Sequence, residues 1–398
     1  MHRRGWLVLA LLGSTGSAAG AVEGCSSASS GASPQVVPDA AAESSTADAT
    51  TDAPAPVMEA AAVTDDASDA GTDAGSVGEG GCPTDGGIPN DLACTGLYSD
   101  WATKAISPDA VPYTPALVFW SDGAVKSRWL YLPPGGVIDT TDMDNWVFPV
   151  GTKIWKQFAL GGQIVETRLI WKTSSTGWTY LDYRWSADGT SATRFDDGET
   201  NVNGTTYEIP STVICYQCHA GRTDVVLGID LLGTGVAGAQ GVTLAGLADG
   251  GRLSMVPPKT TVVIPEDSTN KAAAALGWLH INCGAACHNT NGRATGTHLY
   301  MKLLASQLQS ADGGPGAVSG LDTYTTAVNI QGQVMPGGMP YERIAPGDAA
   351  HSLIPLLALS RDGGGGFMPM PPIVSHVPDT DGEAPVSAWI NALGDAGP

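Results

Sequence analysis

Between residues 82 and 210 apolar and polar side chains alternate with a period of two. The clearest runs are Val165-Glu166-Thr167-Arg168-Leu169-Ile170-Trp171 and Thr179-Tyr180-Leu181-Asp182-Tyr183-Arg184-Trp185. Turn residues punctuate the segment at Pro133-Pro134-Gly135-Gly136, Gly161-Gly162 and Asp188-Gly189. A period of two sends successive side chains to opposite faces of a strand, so the segment predicts a β-rich, sandwich-like domain. Eight of the eleven tryptophans lie between Trp101 and Trp185. The interior of a small β fold is the simplest place for so much aromatic area; a glycan- or protein-binding surface is the competing use. After residue 210 the pattern becomes helical. Leu276, Leu279, Cys283 and Cys287 follow one another at spacings of 3, 4 and 4, and Trp389, Ile390 and Leu393 lie 3, 4 and 7 beyond Val386. Asp348 is placed to cap a helix carrying Leu353, Leu356 and Leu357. The C-terminal part is therefore expected to be mainly α.

The first 81 residues have neither pattern. Residues 1–25 begin with His2, Arg3 and Arg4, continue through the apolar run Trp6 to Leu12, and end in small residues. The run is too short to span a bilayer and reads as an export signal. Cleavage could follow Ala19-Gly20-Ala21; alternatively Val22-Glu23-Gly24-Cys25 resembles a bacterial lipobox, which makes Cys25 a candidate for lipidation. Residues 26–81 consist largely of Ala, Ser, Thr, Asp, Gly and Pro. Such a segment buries too little apolar surface to offset the entropy of ordering, and is expected to be a disordered acidic linker. No Lys or Arg occurs between Arg4 and Lys104, and the whole chain carries a formal net charge of −21. That balance argues against nucleic acid or an anionic membrane surface as partner, leaving a possible lipid anchor as the only membrane attachment. The expected location is outside the cytoplasm, in the periplasm or cell envelope.

The chemistry lies in the cysteines: Cys25, Cys82, Cys94, Cys215, Cys218, Cys283 and Cys287. Cys82 and Cys94 are close enough in sequence to bridge a short loop. Cys215-Tyr216-Gln217-Cys218-His219 spells C-x-x-C-H, the attachment signature of c-type haem. Two thiols one turn apart can add to the two vinyl groups, and the next residue brings an imidazole to the iron. Cys283-Gly284-Ala285-Ala286-Cys287-His288 is a C-x-x-x-C-H version, one residue longer. A zinc site or a structural disulfide could use the same residues. The first haem-binding segment would occupy residues 211–266, with Met255, its only methionine, as candidate sixth ligand. The second unit would occupy residues 267–398, with Met370 favoured over Met368 because it leads into Pro371-Pro372. His280, His298, His351 and His376 are weaker alternative ligands.

Trp278-Leu279-His280-Ile281-Asn282-Cys283 through Cys287-His288-Asn289, then Pro346-Gly347-Asp348, Met370-Pro371-Pro372 and Ala388-Trp389-Ile390, resemble the cytochrome c domain of a family of exported diheme c-type cytochromes. Trp120-Ser121-Asp122-Gly123-Ala124, Phe148-Pro149-Val150-Gly151-Thr152 and Val226-Leu227-Gly228 are similar to the β-rich region and first haem loop of that family. The likeness covers roughly residues 95–393. It implies two haems c, electron transfer to redox partners of the cell envelope, and a β-rich domain preceding a cytochrome c-like one. A haem enzyme with one open iron position, and a glycan-binding β module with ancillary haem, are the alternatives.

Overall fold

The computed structural model describes residues 81–396 except 83, 86, 311 and 363–367. The export signal, Cys25 and the acidic linker through residue 80 lie outside the described residues. An N-terminal antiparallel β-sheet region is followed by a mainly helical one. Strands β1 (Thr84–Asp85) and β2 (Ile88–Pro89) form a short ladder, as do β3 (Tyr98–Asp100) and β4 (Ala105–Ile106). The main sheet has six strands: β5 (Val111–Pro112), β6 (Val125–Tyr131), β7 (Lys153–Leu160), β8 (Gln163–Lys172), β9 (Trp178–Trp185) and β10 (Ala192–Arg194). They run in sequence order, each antiparallel to the next, as a meander.

The alternation read from the sequence gives this sheet two unlike faces. On one, Trp129, Trp155, Leu169 and Leu181 stand side by side across four strands. They are buried together with Leu92 and Leu97 from the preceding segment. A disulfide between Cys82 and Cys94, with Cα atoms 5.8 Å apart, closes the loop that leads into this cover. On the other face the rows are Leu130–Ile154–Ile170–Tyr180 and, beside it, Arg128–Lys156–Arg168–Asp182. Leu130 and Ile154 share a core with Leu231 and Leu244 of the helical region. The expected sandwich is thus realised as one sheet with short ladders on one side. Its other face, too rich in charge to stack on a second sheet, meets the helical region.

The helices are α1 (Tyr216–His219), α2 (Leu231–Gly235), α3 (Leu244–Asp249), α4 (Ala272–Leu279), α5 (Asp322–Ala327), α6 (Leu353–Leu359) and α7 (Thr380–Ala396). Asp230 and Thr243 cap α2 and α3 by accepting the N–H of Gly233 and Gly246, which satisfies donors the helix itself cannot. Helix α4 packs on α7. Leu276 and Leu279 of α4 and Val386, Trp389 and Ile390 of α7 are all fully buried, each stabilising the fold by about 1.5–3 kcal/mol relative to exposure. Asp348 caps a 3-10 turn, Ala349–His351, and α6 starts only after Ser352. Among the described residues no helix is long and apolar enough to cross a membrane.

Candidate cofactor site

The two Cys–His segments fold into turns built on one plan. In the first, the N–H groups of Cys218 and His219 both donate to the carbonyl of Cys215, at 3.2 Å each. In the second, the N–H groups of Cys287 and His288 both donate to the carbonyl of Cys283, at 3.2 and 2.9 Å. Every bond spans one residue more, yet closes on the same atom of the first cysteine. The added residue is admitted because α4 does not continue as an α-helix: His280–Gly284 is a π-turn, with Ala285 N–H donating to His280 O at 2.6 Å. A π-turn takes up one residue beyond the α count. The regular stripe expected through Cys283 and Cys287 is therefore interrupted, and the interruption preserves the cysteine–histidine relation. Gly284 is required there, since a Cβ would lie 2.2 Å from the Met301 carbonyl carbon. The backbone passing so close returns Met301 N–H to His288 O at 2.8 Å.

Both imidazoles have Nδ1 engaged. His219 Nδ1 lies 2.6 Å from Val225 O, and His288 Nδ1 lies 3.4 Å from Thr297 Oγ1. A proton held on Nδ1 leaves Nε2 as the ligating nitrogen. Burial holds His219 down to about 4 and lowers His288 as well, so both rings are neutral at pH 7. Cys215, Cys218, Cys283 and Cys287 are free thiols. Burial pushes Cys215 and Cys218 up to about 11 and Cys283 up to about 12.

The fold brings the two turns together. Gly221, just after the first histidine, packs so tightly against the second turn that a Cβ would lie 2.0 Å from Ala286 O. The loop carrying Val225 is tied to the sheet by Asp224, a buried carboxylate. It accepts from Phe148 N–H at 2.6 Å, Lys172 Nζ at 2.6 Å and Trp178 Nε1 at 2.7 Å.

A cavity of about 320 Å³ opens on Cys215, Cys218 and His219. An adjoining one of about 170 Å³ opens on Cys283 and is walled by Leu299, Leu353 and Leu357. Cys287, His288, Met370 and Trp120 line both. Met370 is held by its backbone: its N–H donates to Leu357 O at 2.9 Å and its carbonyl accepts from Arg361 at 2.6 Å. Met368 is 62% exposed and lines neither cavity. Met255 stands outside the lining of both cavities, its backbone pinned to Thr140 and its side chain 48% exposed. None of His280, His298, His351 and His376 lines them either. His280 is buried, accepting Leu303 N–H at 3.0 Å, while His351 and His376 pair with Asp348 and Glu208.

Two groups of residues were not assigned to the site from the sequence. Trp120 donates its backbone N–H to Asn282 Oδ1 and its indole N–H to Val377 O, both at 2.8 Å. Asp122 accepts the N–H of His376 at 2.7 Å and the Ser375 hydroxyl at 3.3 Å. Together they tie the segment after Met370 to the β region. The second group is the charged row of the sheet: Arg128, Lys156 and Arg168 line the larger cavity. The only hint of this in the sequence was charge at alternate positions of the strands.

No protein-family model, curated protein or solved structure matches this chain. The functional reading accordingly stands on the residues and their arrangement.

Proposed function

We propose that this chain is an exported cytochrome that carries two c-type haems and passes electrons between partner proteins of the cell envelope. The observation that carries this reading is the pair of like-built turns. Each offers two free thiols and one neutral imidazole with Nδ1 already engaged, and they open on adjoining cavities. Cys215, Cys218 and His219 would hold one haem; Cys283, Cys287 and His288 would hold the other, with Met370 as its sixth ligand. Haem bound there supplies a one-electron iron couple, which a methionine ligand raises in potential.

The chain's own part is orientation and exclusion of water. Val225 O and Thr297 Oγ1 fix the ring tautomers, and Leu299, Leu353 and Leu357 give the second cavity an apolar wall. A zinc reading has less support. Among the described residues no three His, Cys, Asp or Glu side chains converge as a metal ion requires, and a structural zinc site uses four. The glycan reading is also weaker: Trp101 stacks on Trp185 at 5.4 Å and carries Lys104 over its ring at 3.4 Å, so part of its surface is already covered.

One observation favours a second reading, a haem enzyme with an open iron position. With His288 and Met370 assigned to the second haem, His219 is, among the described residues, the only imidazole or thioether left in the lining of the larger cavity. A pyridine haemochrome spectrum with an intact mass tests the main reading; two haems per chain are expected, and colourless protein with unmodified thiols would refute it. Carbon monoxide separates the two readings. Electron transfer alone expects Met370→Leu to create a binding position absent from the wild type, whereas the enzyme reading expects one wild-type haem to bind it already.

A further inference from the structure

The sheet face that roofs the larger cavity sets basic side chains against one another, and burial together with these neighbours pulls Lys156 well below the usual lysine range and Lys126 down to about 7. Lys126, Arg128, Lys156 and Arg168 all lie on this face, and Arg128 sits directly opposite Lys156, as Lys156 does opposite Arg168. Like charges placed opposite each other across a sheet are destabilising. The acids beside them are Glu166 and Asp182. Arg168 takes Glu166 at 2.6 Å, and Tyr207 donates to the same carboxylate at 2.5 Å. Burial raises Asp182 above the usual carboxylate range, with Glu166 adding to the effect, although its carboxylate lies 3.7 Å from Arg168.

Lys126 is turned to Phe119 O and the Ser121 hydroxyl. Arg128 and Lys156 are different: neither side chain has a hydrogen-bonded partner among the described residues, although Arg128 is 93% buried (7% exposed). Lys156 lies near the rings of Phe158 and Phe119, at 5.3 and 5.9 Å, and within the field of the Glu166 carboxylate that Arg168 already engages. The arginines of the smaller cavity make the contrast. Arg343 donates to three backbone carbonyls and Arg361 to those of Leu357, Ala358 and Met370, so neither needs a ligand. A buried charge without a counter-charge is costly, and an arginine and a lysine side by side suit a carboxylate.

We infer that Arg128 and Lys156 form a seat for an anionic carboxylate group inside the larger cavity. Within the haem reading, on which this rests, the carboxylate is a propionate of a bound haem; the same seat would accept a free small carboxylate. The test uses the full-length mature protein and first counts its haem, so failure of the haem reading shows separately as missing pigment. Lys156→Met and Arg128→Met are then compared with Lys156→Arg and with Lys153→Met, a control whose lysine lies on the opposite face against Thr95 O.

If a propionate occupies the seat, each Met variant retains two haems. At a fixed ambient potential its reduced-to-oxidised ratio falls about tenfold, a 59 mV drop for a one-electron couple, because removing a cation disfavours electron addition. Lys156→Arg and Lys153→Met stay at the wild-type value, and sodium acetate has no effect. If a free carboxylate occupies it, acetate binds saturably by calorimetry, with or without haem, and the two Met variants lose that binding. Wild-type midpoints in both Met variants together with no acetate uptake would overturn the seat. So would conversion of a six-coordinate haem to five-coordinate in Lys156→Met, which would make the lysine an iron ligand.

Discussion

Asp224 is the residue whose loss tests the site's scaffolding most directly. It is buried, pairs with the equally buried Lys172 at 2.6 Å, and also receives Phe148 N–H and Trp178 Nε1. The next residue, Val225, supplies the carbonyl that holds His219 Nδ1. Asp224→Asn keeps the size but leaves Lys172 as a buried charge without its counter-charge, a change that typically costs about 3–5 kcal/mol. Lys172→Met leaves Asp224 charged with two neutral donors and is expected to cost slightly less. In the double variant no buried charge remains and the Asn oxygen can still accept one donor. Its loss should be smaller than the sum of the two single losses by about 1–3 kcal/mol. Urea denaturation followed by tryptophan fluorescence measures all three, Trp178 being part of the cluster. Strict additivity, or a loss below about 1 kcal/mol in Asp224→Asn, would refute the view that this ion pair pins the loop.

Two further predictions concern the surroundings of the second turn. Gly221→Ala places a methyl 2.0 Å from Ala286 O, a backbone atom that cannot swing aside. It should lower stability by about 3 kcal/mol or more, whereas Gly296→Ala, where nothing lies within 4 Å, should be near neutral in the same urea assay. His280 is held near 4, against 6.5 when free, chiefly by burial. Since its folded pKa is depressed, its contribution is complete above pH 6.5 and is lost as pH falls from 6.5 towards 4. The loss amounts to about 3 kcal/mol at most. His280→Gln should flatten the stability–pH slope in that window, and an unchanged slope would show that other groups govern it.

The sequence by itself determined the local order of this protein. Alternation in the runs around Leu169 and Leu181 specified strands, because a period of two is a property of the extended backbone and needs no partner. The 3–4 spacing of Val386, Trp389 and Ile390 specified the terminal helix for the same kind of reason. The spacing Cys215–Cys218–His219 marked the chemistry, since thiols and imidazole one turn apart are a local arrangement. Tertiary structure decided everything that depends on what lies opposite. It kept Met255, whose backbone belongs to Thr140, out of the lining of both cavities and placed Met370 in it. It set a π-turn, His280–Gly284, at the start of the longer motif, where Met301 passes too close for position 284 to carry anything but glycine. It also brought Arg128 and Lys156 together in the lining of the larger cavity, where burial lowers both. Burial, and hence the energy of a charge or the reach of a ligand, depends on which distant segments meet, and alternation along a single strand does not encode that.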